Sequence, residues 1–209
     1  MHHSDKVPIA GRLAQYLVFW KTLTKDQYIL NAIKGYRIEF VNNMPVQRLI
    51  PKPINFSQKE TLAIDATIQS LQVQGVIRLC KHEPGEYINT IFVREKRDKK
   101  EYRMILNLKL LNKHVEYQKF KMDTLKTVVK LIKKHCFMAS IDIKDAYYTV
   151  KIDDDYQKFL KFTWHGKLYQ YTCLPNGLSS APRLFTKLLK PILARIRSLG
   201  HMVCFGLVL

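Results

Sequence analysis

Two stretches of this chain read with a period of two residues, and each is followed at once by a second such stretch. Residues 88–94 and 102–108 flank the polar turn Arg97-Asp98-Lys99-Lys100, and residues 159–164 and 167–172 flank His165-Gly166. Successive strand side chains point to opposite faces, so this pattern commits both regions to β-hairpins. A chain that must place two hairpins cannot be a helical bundle. Helical signatures surround them. Ser57-Gln58-Lys59-Glu60 has the form of a capping box, Ile64, Ile68 and Leu71 follow on one face, and Gly75 is placed to end that helix. Leu125, Val128, Val129 and Ile132 mark a second amphipathic helix, with Lys126, Lys130, Lys133 and Lys134 around its other side. A long helix is expected from about residue 179 to 199, with Pro182 in its first turn, a bend at Pro191 and Gly200 closing it. Leu13, Leu17, Trp20, Tyr28, Ile29 and Ile33 suggest one or two short helices docked on something larger, and Pro51-Lys52-Pro53 reads as an extended spacer. Residues 137–142 read as a short strand entering a turn, and residues 202–209 as an apolar strand. Helices mixed with hairpins define the α+β class.

Charge narrows the function. Among 209 residues, 35 Lys and Arg face 17 Asp and Glu, a formal net charge of +18, while 47% of the residues are hydrophobic. A chain this apolar folds, so the excess belongs to a surface, and a polyanion such as nucleic acid is its first expected partner. No uncharged apolar run approaches the roughly 18–20 residues of a spanning helix, and Met1-His2-His3-Ser4-Asp5-Lys6 lacks a secretion signal's apolar segment. Cys80, Cys136, Cys173 and Cys204 form no C-x-x-C pair, which points to reduced thiols and an intracellular setting, cytoplasm or nucleus.

The segment richest in chemistry is Ser140-Ile141-Asp142-Ile143-Lys144-Asp145-Ala146-Tyr147-Tyr148. An acid at the end of an apolar strand, with a second acid three residues on, offers hard oxygen ligands of the kind Mg²⁺ takes. By itself the pattern is more often that of an aspartate capping the turn after a strand.

In context the segment resembles motif A of reverse transcriptases. Residues 91–96 with 102–112 resemble that family's fingers hairpin, and Leu174-Pro175-Asn176-Gly177-Leu178-Ser179-Ser180-Ala181-Pro182-Arg183-Leu184-Phe185 resembles motif B. Gly11-Arg12-Leu13, Trp20 and Gly35-Tyr36-Arg37-Ile38-Glu39-Phe40 are similar to the lead-in of tyrosine-recombinase retrotransposons, the DIRS group. The resemblance implies a right-hand polymerase built of fingers and palm, with an antiparallel sheet and packed helices. Its implied divisions are lead-in helices over 1–50, fingers over 51–136 and a partial palm over 137–209. It also implies template-directed DNA synthesis, with RNA or DNA template–primer and dNTP as partners and two Mg²⁺ ions that activate the primer 3′-OH and stabilise the leaving pyrophosphate. Asp142 matches the first metal-binding aspartate, and the Ile143 carbonyl belongs to the same site. Lys96 and Arg103 match cations that grip the β- and γ-phosphates, and Asp145 and Ala146 fall where the turn approaches the triphosphate. Tyr147 matches the aromatic that packs on the sugar and excludes a 2′-hydroxyl; Asn176 and Gly177 match the loop that touches nucleotide and template.

Plainer readings stand beside these. Lys96 lies in a charged turn, Tyr147 could be core, and Asn176-Gly177 could be an ordinary turn. Asp153-Asp154-Asp155 is expected to be a solvated turn, and Cys80 and His82 are spaced too closely for a metal site. The family's second pair of carboxylates, the Tyr-x-Asp-Asp of motif C, does not occur, and no Asp or Glu follows Asp155. The expectation is therefore fingers and upper palm cut short before motif C by a frameshift, splice or gene-model error, inactive in nucleotidyl transfer and poorly soluble by itself. The alternatives are a non-catalytic nucleic-acid-binding remnant or a pseudogene product. For the remnant, residues 94–113 carry eight cations against three acids and residues 119–134 six against one, with Tyr87, Tyr102 and Tyr117 available to stack on bases.

Overall fold

Both hairpins form in the computed structural model, which describes residues 9–52, 54–95, 102–122, 129–130, 134–135, 137 and 139–203. In chain order the strands are β1 (Ile77–Leu79), β2 (Ile88–Glu95), β3 (Tyr102–Asn107), β4 (Lys161–Trp164) and β5 (Lys167–Tyr171). The described helices are α1 (Leu17–Leu23), α2 (Gln27–Lys34), α3 (Gln58–Val73) and α4 (Ala181–Ser198), with 3₁₀ turns at Arg12–Tyr16, Leu111–Lys113, Ala146–Thr149 and Asp154–Leu160. β2 pairs with β3 and β4 with β5, both antiparallel. The second hairpin turns on His165 and Gly166, whose φ values of 46° and 71° suit the right-handed twist of the strands they join.

The hairpins join into one sheet of order β1-β5-β4-β2-β3. Their junction is parallel and short, with Ile88 opposite Lys161 and Asn89 opposite Phe162. Asn89 is buried there, and its amide donates to the carbonyls of Tyr87, Phe159 and Lys161 at 3.3, 3.0 and 3.1 Å. Lys161, a β4 residue with no exposed side-chain surface, reaches the Lys81 carbonyl and the carboxylates of Glu83 and Glu86, each at 2.8 Å.

α3 starts with the expected capping box: Ser57 Oγ accepts from the Glu60 N–H while the Glu60 carboxylate accepts from the Ser57 N–H at 2.8 Å. Its Ile64, Ile68 and Leu71 enter the core, which also takes Ile33, Phe159, Phe162, Leu174, Leu184 and Leu188. Asp26 caps α2 by accepting from the Tyr28 N–H at 2.8 Å. The lead-in docks through buried Trp20, Ile29 and Ile33, and the residues that follow pair with the body of the chain: Tyr36 N–H donates to the Lys151 carbonyl at 2.8 Å, and Asp153 N–H donates to the Tyr36 carbonyl at 3.0 Å.

Several expectations change. Residues 139–143 form no strand, and Phe137 and Ile141 project into solvent. A strand needs a neighbour for its backbone groups, and among the described residues none runs alongside this one. Met202 and Val203 likewise belong to no strand, while residues 204–209 lie outside the described residues. Of the expected helix at residues 125–132 only Val129 and Lys130 are described, both helical and exposed. Phe159 and Leu160 close a 3₁₀ turn rather than opening β4. Asp153 is more than a solvated turn: its carboxylate accepts from the Asp155 N–H at 3.2 Å and pairs with Arg37 at 2.9 Å. β1, which pairs with β5, was not expected.

Candidate nucleotide site

The turn after Asp142 is built from local hydrogen bonds. Asp145 adopts the left-handed conformation, φ 53° and ψ 32°, a region that aspartate tolerates better than most residues. A 3₁₀ turn follows, closed by Tyr148 N–H donating to the Asp145 carbonyl at 3.0 Å and Thr149 Oγ1 donating to the Ala146 carbonyl at 2.6 Å. Fully buried Val150 and Ile152 anchor its far end. This turn sends Tyr147 and Tyr148 to different neighbours. The Tyr147 ring meets Phe185 of α4 edge-on, 5.5 Å between centroids, and its hydroxyl is buried with no hydrogen-bond partner among the described residues. Burial raises its phenol pKa.

Tyr148 is the point where three segments meet. Asn176 Nδ2 donates to its hydroxyl at 3.3 Å. Its phenol is pushed up to about 12, first by burial and then by Cys173; Asp145 adds to the rise, while the Asn176 hydrogen bond and the charge of Arg103 oppose it. Arg103 on β3, Asp145 on the turn and Asn176 on the following loop therefore lie within electrostatic reach of one hydroxyl. Gly177 has φ 95°, a conformation that favours glycine, and its backbone faces the Leu106 carbonyl of β3.

Arg103 and Arg94 are both exposed and directly opposite each other across β2 and β3. Like charges at facing positions repel, so the pair concentrates positive charge at this point of the hairpin. The other cation expected to grip phosphate, Lys96, lies outside the described residues. Asp142 is exposed and Ile143 half-exposed. One exposed carboxylate and a neighbouring carbonyl do not make a two-ion site, and among the described residues no three His, Cys, Asp or Glu side chains cluster to hold a metal. The donor set does not fit the expected pair of ions.

Two residues escaped the sequence reading. Asn112 Nδ2 donates to the Gly177 carbonyl at 2.8 Å, and its Oδ1 accepts from the Ser179 N–H at 2.9 Å. Tyr148 gathers the site instead of merely filling core. The available signal for Asn112 was a lone amide after the apolar pair Leu110-Leu111. Among the aromatics offered for base stacking, Tyr87 is buried and cannot serve, whereas Tyr117 is 77% exposed. No described helix is long and apolar enough to cross a membrane.

Comparison with known proteins supplies the family. The chain is 32% identical over 158 residues to the Gag-Pol polyprotein of Walleye dermal sarcoma virus, covering 74% of this chain and 8% of the polyprotein. It is 33% identical over 139 residues to the Pol polyprotein of Equine infectious anemia virus (strain Wyoming), covering 63% of this chain and 12% of that one. It thus spans only a small part of these relatives. In fold it is similar to the crystal structure of Prototype Foamy Virus Protease-Reverse Transcriptase, with a TM-score of 0.62 and 20% identity, over 81% of this chain and 22% of that one. The family model described as reverse transcriptase (RNA-dependent DNA polymerase) matches residues 94–205. That match takes in more than half of the 209 residues, and the chain belongs to the reverse transcriptase family.

Proposed function

We propose that this chain is the fingers and upper palm of a retrotransposon reverse transcriptase of the DIRS type, and that it binds template–primer and dNTP. The observation that carries the reading is the 3.3 Å hydrogen bond from Asn176 to the Tyr148 hydroxyl, which joins the loop carrying Asn176 and Gly177 to the turn after Asp145. In this reading Arg103, with Lys96, holds the triphosphate, and the Arg94–Arg103 repulsion supports an anionic occupant. Asp145 and Ala146 border the phosphates and the Tyr147 ring meets the sugar. Asn176 and Gly177 contact base and template. Asp142, with the Ile143 carbonyl, holds Mg²⁺ only when further carboxylates join it.

These 209 residues have no acid after Asp155, so the chain by itself binds without transferring nucleotide. Primer extension on an RNA template with Mg²⁺ and dNTPs tests this. No product is expected from the 209-residue chain, and extension is expected from a longer reading frame that supplies a Tyr-x-Asp-Asp. Extension by the 209-residue chain that Asp142→Ala abolishes would show the chain to be a polymerase and overturn its proposed inactivity. The non-catalytic binding reading is favoured by the same lack of acids. It requires template binding that weakens steeply with salt, in proportion to the phosphates contacted.

A further inference from the structure

We propose that Asn112 is a positioning residue that sets the conformation of the nucleotide-facing loop. None of the roles above falls to it, and the proposal rests on reading Asn176 and Gly177 as nucleotide contacts. Its side-chain amide spends both polar ends on that loop, donating to the Gly177 carbonyl at 2.8 Å and accepting from the Ser179 N–H at 2.9 Å. A carboxamide offers a donor and an acceptor on one short planar group, so aspartate can replace half of the latch and alanine none.

Asn112 is itself held. Its N–H donates to the Leu108 carbonyl at 2.8 Å, and its neighbour Leu111 is fully buried. On the loop's other side, Asn176 Nδ2 reaches Tyr148 at 3.3 Å. The loop is therefore fixed at two points. One belongs to the turn after Asp145, the other to the segment that leaves β3, the strand carrying Arg103. A β-carbon on Gly177 would lie 3.6 Å from the Leu106 carbonyl, so the loop also rests on β3. Asn112 thereby ties the loop's geometry to the base of the cationic hairpin, and both sides of a bound triphosphate share one frame.

The test uses the ¹⁵N-labelled 209-residue chain with a template–primer. Amide exchange at Ser179 reports the latch, and titration with dTTP reports nucleotide affinity. Asn112→Ala is expected to speed Ser179 exchange at least tenfold and to raise the dTTP Kd about tenfold, the scale of a lost positioned hydrogen bond. Asn112→Asp is expected to retain most of the Ser179 protection yet still weaken dTTP binding, because the Gly177 carbonyl loses its donor. It also carries the test should the alanine variant fail to fold. Thr90→Val, which removes the 3.1 Å bond from Asn107 in the same hairpin and leaves the Asn107 bond to the Lys109 N–H in place, should change neither readout. Faster exchange with unchanged dTTP affinity makes the bond merely structural and overturns the proposal, as does unchanged exchange. If the parent chain binds no dTTP, the underlying nucleotide reading fails first, and the positioning role fails with it.

Discussion

Lys161→Met is expected to destabilise the chain by about 3 kcal/mol, near the lower end of what breaking a buried ion pair costs. The Lys161 side chain has no exposed surface, and its ammonium meets the Lys81 carbonyl, Glu83 and Glu86, each at 2.8 Å. Methionine keeps the apolar stem and removes the charge, so the loss reports the partners left behind. Glu83, with 49% of its side chain exposed, turns to water at little cost. Glu86, only 16% exposed, keeps its bonds from His82 and the Glu83 N–H but loses its one buried cation and is left beside the unpaired Lys81 carbonyl. One stranded carboxylate rather than two places the cost low in the range. For a chain of this size, about 3 kcal/mol lowers Tm by roughly 6–12 °C.

The pH dependence follows from the same contacts. Burial raises the Glu86 pKa, but hydrogen bonds from Lys161, His82 and the Glu83 N–H outweigh it and hold the group below its usual value. A depressed folded pKa contributes stability above the unfolded value and loses it as pH falls through the folded one. Burial likewise lowers the Lys161 pKa, yet its two glutamates raise it overall, so its contribution persists below its usual range and disappears at strongly alkaline pH. The clamp thus works across the neutral range and fails in acid. Urea denaturation followed by circular dichroism, for the parent chain, Lys161→Met and Lys161→Met/Glu86→Gln, is the assay. The second substitution neutralises the stranded carboxylate and should restore about 2 kcal/mol. A single variant within about 1 kcal/mol of the parent chain, or a double variant no better than the single, refutes the reasoning.

Tyr147→Phe should leave stability unchanged or raise it by up to about 1 kcal/mol, because the deleted hydroxyl is buried without a partner; thermal denaturation checks it. Arg103→Ala should weaken dNTP retention about tenfold and flatten its salt dependence, while relieving the repulsion opposite Arg94, so a loss of binding accompanied by a large drop in Tm would argue for a structural role instead. Ser57→Ala should cost about 1 kcal/mol by removing the α3 cap, readable in urea denaturation. Tyr36 and Tyr148, both pushed up to about 12 primarily by burial, should ionise late in an ultraviolet titration. Because their unfolded values lie near 10, stability should fall as pH rises from about 10 toward 12.

Elements whose signals lie close together in sequence were legible. The α3 cap needs only Ser57 and Glu60, and the second hairpin only an alternating pair of segments around His165-Gly166. The strand expected at residues 137–142 was not correct, because alternation reports which faces a strand would have and not whether a neighbour exists to pair with it. β1 was missed for the converse reason: three residues are too few to show a period, and pairing with β5 is what makes them a strand. The motif blocks offered Arg103, Asp145 and Asn176 as site candidates, and the structure sets Asn176 against Tyr148; Tyr87, offered for stacking, is core.

By itself the sequence determined the hairpins, the α3 cap, the α+β class and the family to which the blocks belong. Each rests on residues a few positions apart, where periodicity and turn chemistry act directly. Only the tertiary structure decided that the two hairpins join in parallel at Asn89, that Lys161 is buried against two glutamates, and that Asn112 holds a loop 65 residues away. Such contacts depend on which distant groups share a buried space with unpaired donors and acceptors, and hydrophobic periodicity does not encode that. Net charge followed the same division: the +18 forecast an anionic partner, but the structure set Arg94 opposite Arg103 on the first hairpin and hid Lys161 in the core.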